Sequence, residues 1–404
     1  MSIVLHRPVG SLILCGVVCA ALAMGLRNSF GLFLAPMTAE LGWSTSGFSL
    51  AIALQVLANG IFQPICGQLA DRLGGRVVIM GGAVLYALGT AGMALSTNLT
   101  VFTFFAGIVM GAAVSAAGMP VISASLTRML PENMRGRAVG LGTAGSSFGQ
   151  FMVVPLAGLG ISLTGWQSAL LLMAGAALLM VPLAWPLSDR IPKPAPGVTE
   201  ESAGTALRNA LTSRDFWCLF FGFFVCGVHV SFLSVHLPGF VASCHLPLYV
   251  GSGAISLIGL FNVIGSLGAG ELSQRWRRRD LLILIYTLRG VLMAGFIFVD
   301  KTTTSVLIFS ALMGILWLST VPPTVALCAR NHGTRWLATI FGLIFLGHQL
   351  GGFSGAWLGG VTFERTGSYD LMWSICVATS AFAALIHIPI RDVVARPAAL
   401  PAGA

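Results

Sequence analysis

The ten residues GQLADRLGGR, at positions 67–76, place one acid and two arginines between two long apolar segments. These segments cover approximately residues 46–70 and 77–97. Each is about as long as the roughly 20 apolar residues that a helix needs to cross a bilayer. A short charged turn between two such segments predicts a pair of transmembrane helices that are joined at a membrane surface.

The composition of the whole chain agrees with this local prediction. Of the 404 residues, 56% are hydrophobic and 9% are charged, whereas a soluble globular domain carries about 25% charged residues. This scarcity of charge excludes an ordinary soluble enzyme, a disordered chain and a coiled coil. Apolar segments of sufficient length cover approximately residues 11–34, 46–70, 77–97, 100–126, 138–160, 167–188, 216–243, 249–272, 281–299, 304–328, 336–361 and 371–391. The sequence therefore predicts an all-α integral membrane protein with 12 transmembrane helices.

The basic residues indicate which helix ends face the cytoplasm. With both termini placed inside, 18 of the 22 bases fall in inner segments, and only Lys301 and Arg365 fall in outer loops. Arg27 and Arg289 are the remaining two and lie within predicted helices. Because inner loops are enriched in Lys and Arg, we expect cytoplasmic N- and C-termini in a bacterial inner membrane. The same distribution explains the net charge of +9 without a nucleic-acid partner.

The chain repeats its own pattern at about half its length. A shift of 202 to 203 residues places Ser29-Phe30 and Pro36 on Ser231-Phe232 and Pro238, Gly67, Leu69 and Arg72 on Gly270, Leu272 and Arg275, and Gly140, Gly145 and Gly149 on Gly342, Gly347 and Gly351. Many secondary transporters consist of two such halves, with the solute site near the bilayer midplane between them. We therefore expect two pseudo-symmetric six-helix bundles, 1–188 and 215–404, joined by a cytoplasmic linker at 189–214.

The charged turn also carries a family resemblance. Gly67, Asp71, Arg72, Gly74 and Arg76 resemble the signature G-x-L-a-D-R-x-G-R of the major facilitator superfamily. The resemblance implies alternating access, with helices one, four, seven and ten and parts of two, five, eight and eleven lining the path. We expect these five residues to be the gating motif, because an acid and arginines at a helix end can pair across the halves in one state and separate in another.

Three further stretches are similar to bacterial relatives of the monocarboxylate and oxalate/formate transporters. They read SFGLFLAPMTAELGW (29–43), AGSSFGQFMVVP (144–155) and FGLIFLGHQLGGFSGAWLGG (341–360). The similarity implies secondary transport of a small organic anion. Those carriers place an Asp and an Arg in helix eight, where this chain has Asn262 and Ser266. This departure favours an alternative: import of a neutral or aromatic nutrient such as riboflavin, or export of a drug or metabolite.

Polar residues inside the predicted helices are the candidate solute ligands, because charge at membrane depth is costly. The candidates are Arg27, Asn28, His229, Asn262, His348 and Gln349. Arg27 would attract an anion, although pairing with a helix end is its structural alternative, and each histidine could equally be a hydrogen-bonded core residue. Arg289 lies in the middle of helix nine, where we expect a structural charge. Further polar residues whose helix face the sequence does not assign are Gln55, Asn59 and Gln150.

The acids bear on the coupling ion. All thirteen acids fall in loops or near helix ends. Coupling to protons would therefore require a histidine such as His348, which titrates near neutral pH, or a substrate that brings the proton itself. Uniport and exchange remain open alternatives.

Glycines in helices five and eleven are expected to bring helices close together. Gly145 and Gly149, followed by Pro155, and Gly347 and Gly351 form small-xxx-small patterns. The sequence has no Walker loop or other enzyme signature. We therefore expect a transporter and not an enzyme, without cofactor or metal, that acts as a monomer on a small-molecule substrate in the lipid bilayer.

Overall fold

A computed structural model of the chain describes residues 9–129, 132–188, 203–332 and 337–392. Within these ranges the regular structure is helical and no strand is present. The α-helices are α1 (Val9–Asn28), α2 (Leu34–Leu41), α3 (Thr45–Leu73), α4 (Gly75–Ala94), α5 (Leu99–Thr103), α6 (Met110–Ala116), α7 (Met119–Met129), α8 (Glu132–Leu178), α9 (Met180–Ala184), α10 (Ala203–Thr212), α11 (Arg214–Ser243), α12 (Leu248–Arg275), α13 (Arg278–Phe298), α14 (Thr303–Leu316), α15 (Val321–His332), α16 (Leu337–Thr366) and α17 (Asp370–His387).

The helices make twelve passes. Ten helical segments among the described residues are long and apolar enough to cross a membrane. One of them, Gly142–Ala184, turns at Gly165, whose φ is 82°, and so contributes two passes. Helix α16, with 30 residues, supplies the twelfth. The predicted 12-helix membrane fold is confirmed. Residues 189–202 of the predicted linker lie outside the described residues, and α10 precedes the seventh pass.

The passes are numbered here as spans in chain order. Spans one to six are α1–α2, α3, α4, α5–α7, α8 before Gly165, and α8 after Gly165 with α9; spans seven to twelve are α11, α12, α13, α14–α15, α16 and α17. We call the membrane face where span one begins the termini face and the opposite face the distal face. Because the number of passes is even, span twelve also ends at the termini face.

Spans four and ten are each interrupted near their centres. In span four α6 ends at Ala116 and α7 begins at Met119, and in span ten α14 ends at Leu316 and α15 begins at Val321. Prolines lie directly after both interruptions, and proline lacks the N–H that a continuous helix needs. Irregular backbone at membrane depth is tolerated only where protein or a cavity surrounds it. The two interruptions therefore mark the interior of the bundle.

The two halves are packed in the same way through glycines. Gly149 of span five lies against the carbonyl oxygen of Ala21 in span one, and Gly351 of span eleven lies against the carbonyl oxygen of Phe224 in span seven. A Cβ at either glycine would overlap these backbone atoms, so only glycine permits the approach. The same pairs of spans meet again at Gly145 and Val17 and at Gly347 and Phe220, and Pro155 lies inside α8.

We expect Gly149→Val to lower the thermal unfolding temperature of the purified protein in detergent. The added side chain would force spans one and five apart, and overpacking of this kind costs about 1–3 kcal/mol or more. Gly175→Val is the matched control, because a Cβ at Gly175 meets no atom within 4 Å. Equal unfolding temperatures for the two variants would contradict the close packing of spans one and five.

The halves contact each other at the distal face. Gly31 of span one lies against the backbone carbonyl of Ser234 in span seven. Gly360 of span eleven lies against Ser49 of span two, near the distal ends of both helices. These contacts leave no space for a side chain at either glycine. The structure therefore shows a conformation in which the distal face is closed.

Candidate solute-binding site

A cavity lies between the two halves at the level of the span centres. It consists of two adjoining chambers that share Met24, Arg27, Leu318 and Phe345. The first chamber has a volume of about 210 Å³ and is lined by spans one, two, seven, ten and eleven. The second has a volume of about 240 Å³ and is lined by spans one, two, four, five, ten and eleven. Because both halves line both chambers, the cavity is placed where alternating motion of the halves would expose it.

Among the described residues, Arg27 is the only Arg or Lys that lines these chambers. Span one runs from Val9 to Leu41, so Arg27 lies near its centre. Its side chain is half-buried, and no hydrogen bond or ion pair joins it to another residue in the part of the chain that the structure describes. Tyr86 of span three lies beside it and donates its hydroxyl to the carbonyl of Ala23, 2.9 Å away. The guanidinium is thus available to a ligand in the cavity.

Gln55 of span two supplies a second donor to the first chamber. Its side chain is 2% exposed, and its Nε2 has no hydrogen-bond partner among the described residues. Leaving a buried donor unsatisfied costs about 1–3 kcal/mol. A solute oxygen that accepts this hydrogen bond would remove that cost. The sequence identifies Gln55 only as a polar residue within a helix and does not indicate which way it faces. The structure shows that it lines the cavity.

Four of the six predicted ligand candidates meet in the first chamber: Arg27, Asn28, His348 and Gln349. Asn28 Nδ2 donates to Gln150 Oε1 at 3.0 Å. His348 Nδ1 lies 3.1 Å from Gln349 Oε1. These bonds hold the amide and the imidazole at the cavity wall.

The remaining wall of the first chamber is largely apolar and aromatic. The aromatic residues are Phe30, Phe223, Trp317 and Phe345. The ring of Phe345 stacks on that of His348, with 5.6 Å between centroids and 3° between planes. Such a wall suits an apolar or aromatic solute body, while a few polar groups fix its orientation.

The other two ligand candidates, His229 and Asn262, lie outside the lining of the two chambers. His229 is buried between spans seven and twelve, with Nε2 3.0 Å from the hydroxyl of Thr379. Asn262 is buried between spans five, eight and ten, where Nδ2 donates to the Ser147 hydroxyl and Oδ1 accepts from the Leu318 N–H, each at 3.0 Å. Asn262 borders a separate side pocket of about 170 Å³. Both side chains satisfy neighbouring helices instead of facing the two chambers.

Arg289 of span nine is 1% exposed and binds the interruption in span ten. Its guanidinium donates to the carbonyl of Leu316, with Nε 3.0 Å away, and to the carbonyl of Trp317. It also lies 3.4 Å from the Cys226 sulfur. The last carbonyls of a helix lack intrahelical partners, and the helix dipole is negative there. A cation at this point therefore satisfies the end of α14, and the structural role of Arg289 stays a prediction.

The charged segment 67–76 lies at the termini face, where residues 67–73 form the end of α3, Gly74 makes the turn and Gly75 begins α4. Gly74 has φ 86° and ψ 147°, a conformation that favours glycine. The Arg76 guanidinium lies 5.0 Å from the ring centroid of Trp185 in span six. Arg72 is exposed, Gly67 is half-buried, and the side chain of Asp71 lies outside the described structure. The gating role of this motif stays a prediction.

A sequence model of the Major Facilitator Superfamily matches residues 13–356 of the chain. The chain belongs to this superfamily. The major facilitator proteins are membrane transporters, so the protein is a multi-pass transporter and not an enzyme.

Individual relatives agree with the superfamily assignment. The uncharacterized MFS-type transporter YcxA of Bacillus subtilis (strain 168) is 24% identical over 382 residues, which are 91% of each chain. Monocarboxylate transporter 13 of Rattus norvegicus is 25% identical over 373 residues, covering 89% of this chain and 83% of the relative. A crystal structure of a D-xylose-proton symporter superposes with a TM-score of 0.71 at 16% identity, covering 95% of this chain and 98% of that one. The last match shows that the major facilitator fold is shared.

Proposed function

We propose that the protein is a secondary transporter that moves a small organic anion across a bacterial inner membrane by alternating access. The observation that carries the proposal is the half-buried guanidinium of Arg27, which faces the cavity near the membrane centre. No described residue pairs with it through a salt bridge. A charge at this depth is costly unless it has a partner, and an anionic solute is the partner that balances it.

The surroundings of Arg27 support a carboxylate. The unpartnered amide of Gln55 lines the same chamber as Arg27. Hydrogen bonds from a guanidinium to a carboxylate are about twice as strong as neutral ones. The rat relative bears the name Monocarboxylate transporter 13, which also supports an organic acid. The apolar wall would hold the body of the acid.

The distribution of bases supports cytoplasmic termini. The inner segments predicted from the sequence hold 18 bases, against two in the predicted outer loops. The positive-inside tendency then assigns the termini face to the cytoplasm. In this orientation the structure is closed toward the periplasm.

A neutral or aromatic nutrient such as riboflavin, or a drug or metabolite for export, is the second candidate. The observation that favours it is the aromatic wall of the first chamber together with Asn262 and Ser266 at the positions where the related carriers have charges. A flat ring could stack on Phe345 or Trp317, with Asn28 and Gln55 reading its polar edge.

Proton coupling has one protein candidate in the cavity. None of the described residues that line the two chambers is acidic, and His348 is the one histidine among these described residues. We propose that a coupled proton, where one is moved, is held by His348 or enters bound to the solute.

Uptake into proteoliposomes tests these proposals. The panel contains aliphatic and aromatic monocarboxylates, their primary amides and riboflavin, each with and without an inward pH gradient. We expect saturable uptake of carboxylates and at least roughly tenfold slower uptake of the amides, which lack the charge. Entry of riboflavin or of amides with no entry of, or competition by, carboxylates would reject the anion. His348→Gln protein that keeps the same dependence on the pH gradient would reject His348 as the proton carrier.

A further inference from the structure

Two glutamines join the halves through similar hydrogen bonds near the membrane centre. Gln150 Nε2 in the first half donates to the carbonyl of Ile255 in the second half at 2.7 Å. Gln349 Nε2 in the second half donates to the carbonyl of Val56 in the first half at 3.0 Å. The two glutamines are 199 residues apart, and so are the two acceptors. The repeat shift of 202 residues places Gln150 on Gly352, so the two contacts resemble each other without occupying equivalent positions of the repeat, and we call them the glutamine bridges.

A glycine lies beneath each glutamine in the opposite half. A Cβ at Gly259 would lie 2.8 Å from Cγ of Gln150, and one at Gly60 would lie 3.0 Å from Cγ of Gln349. These glycines are also 199 residues apart. In each bridge, the side-chain amide donates a hydrogen bond to a backbone carbonyl, and the aliphatic part of the glutamine side chain packs against a glycine. The same combination of glutamine, backbone carbonyl and glycine therefore joins span five to span eight and span eleven to span two.

Each bridge also reaches the cavity wall through the other atom of its amide. Gln150 Oε1 accepts from Asn28 Nδ2 at 3.0 Å, and Gln349 Oε1 lies 3.1 Å from His348 Nδ1. Asn28 and His348 both line the first chamber. One side of each amide therefore contacts a solute-facing residue, and the other side contacts the opposite half.

We propose that Gln150 and Gln349 are positioning residues that couple occupation of the cavity to separation of the halves. In the closed-distal conformation the bridges hold the halves together. Hydrogen bonds in a chain strengthen one another, so the contact of Asn28 or His348 with the glutamine Oε1 strengthens the bond from the glutamine Nε2 to the opposite half. A solute that binds Asn28 or His348 in place of the glutamine removes this contact. The inter-half bond then weakens, and the distal face opens more often. This coupling does not depend on whether the solute is an anion.

Maleimide labelling of a distal-face position tests the proposal. Ser49 is fully buried against Gly360 of the other half, so a Ser49→Cys site reacts only when the halves separate there. Gln150→Met and Gln349→Met retain the stem but remove the amide. We expect each to raise the labelling rate roughly fivefold, the effect of losing one hydrogen bond. The double variant should reach roughly 25-fold, because distant sites add. Protein without the Ser49→Cys change gives the background from the eight native cysteines.

Two controls separate the bridges from general loosening. Gln167→Met removes the same kind of bond, from Nε2 to the carbonyl of Ala94 at 3.0 Å, but within the first half, and should leave labelling unchanged. A Ser380→Cys site, fully buried near Gly290 within the second half, should not respond to the bridge variants. Unchanged labelling at Ser49→Cys, or an equal rise at Ser380→Cys, would overturn the proposal.

The link to the cavity has its own measurement. Asn28→Ala should raise labelling at the Ser49→Cys site in the parent protein, because the Gln150 amide loses its cavity-side partner. It should add nothing in the Gln150→Met background, because its effect passes through that amide. Fully additive effects of the two substitutions would overturn the coupling and leave only independent contacts.

Discussion

The Arg27→Gln protein is expected to fold normally and to lose high-affinity transport of organic anions. The substitution keeps a polar side chain in the first chamber but removes its one permanent cation. Removing one member of a buried charge pair costs about 2–5 kcal/mol, so KM for a carboxylate should rise at least roughly 30-fold. The measurement is initial uptake into proteoliposomes, with solute-induced thermal stabilisation as an independent readout of binding.

Two further variants sharpen the interpretation. Arg27→Lys keeps the charge but loses the planar fork that binds both carboxylate oxygens, so its KM should lie between those of the parent and Arg27→Gln. Arg365→Gln alters an exposed arginine in the last turn of span eleven, at its distal end, and should transport as the parent does. If Arg27→Gln leaves KM for every transported acid unchanged, Arg27 has a structural role and the solute is read by other groups.

The fold was predictable because the bilayer leaves few choices. A chain with 9% charged residues and twelve apolar segments can satisfy its backbone in lipid only as helices or a closed barrel. The charged turn and the repeat at half the chain length then predicted that these helices form two bundles. The predicted break between spans five and six, at residues 161–166, contains Gly165, where the structure turns. Its shortness was not predictable, because polar residues and one glycine are as typical of a longer loop as of a single turn.

The site was only partly predictable, for a reason that also lies in the bilayer. Arg27 was found because it is one of two cations inside the spans. The faces of the other polar residues could not be assigned, since lipid and the bundle interior both accept apolar side chains and leave no amphipathic pattern. His229 and Asn262 therefore entered the candidate list although they satisfy neighbouring helices. Gln55 could not be selected from sequence, although it lines the chamber beside Arg27.

Arg289→Met is expected to have the largest effect on stability. It leaves the carbonyls of Leu316 and Trp317 without their donors inside the membrane. Each unsatisfied buried group costs about 1–3 kcal/mol. The unfolding temperature in detergent should therefore fall clearly below that of the parent. Arg275→Met is the matched control, because Arg275 is 73% exposed and pairs with Glu271 on the surface, a contact worth less than about 1 kcal/mol.

Substitutions of the two arginines within the spans should differ in whether they change KM or the unfolding temperature. Arg27 has no hydrogen-bond or ion-pair partner among the described residues and faces the cavity, so its loss should change KM and leave the unfolding temperature nearly unchanged. Arg289 has its donors on backbone carbonyls, so its loss should lower the unfolding temperature first. It should also weaken solute binding in any folded fraction, because Trp317 and Leu318 line the cavity directly after α14. An Arg289→Met protein with parental stability and impaired anion binding would instead make Arg289 a solute ligand. Both arginines within the spans would then contribute positive charge to solute binding.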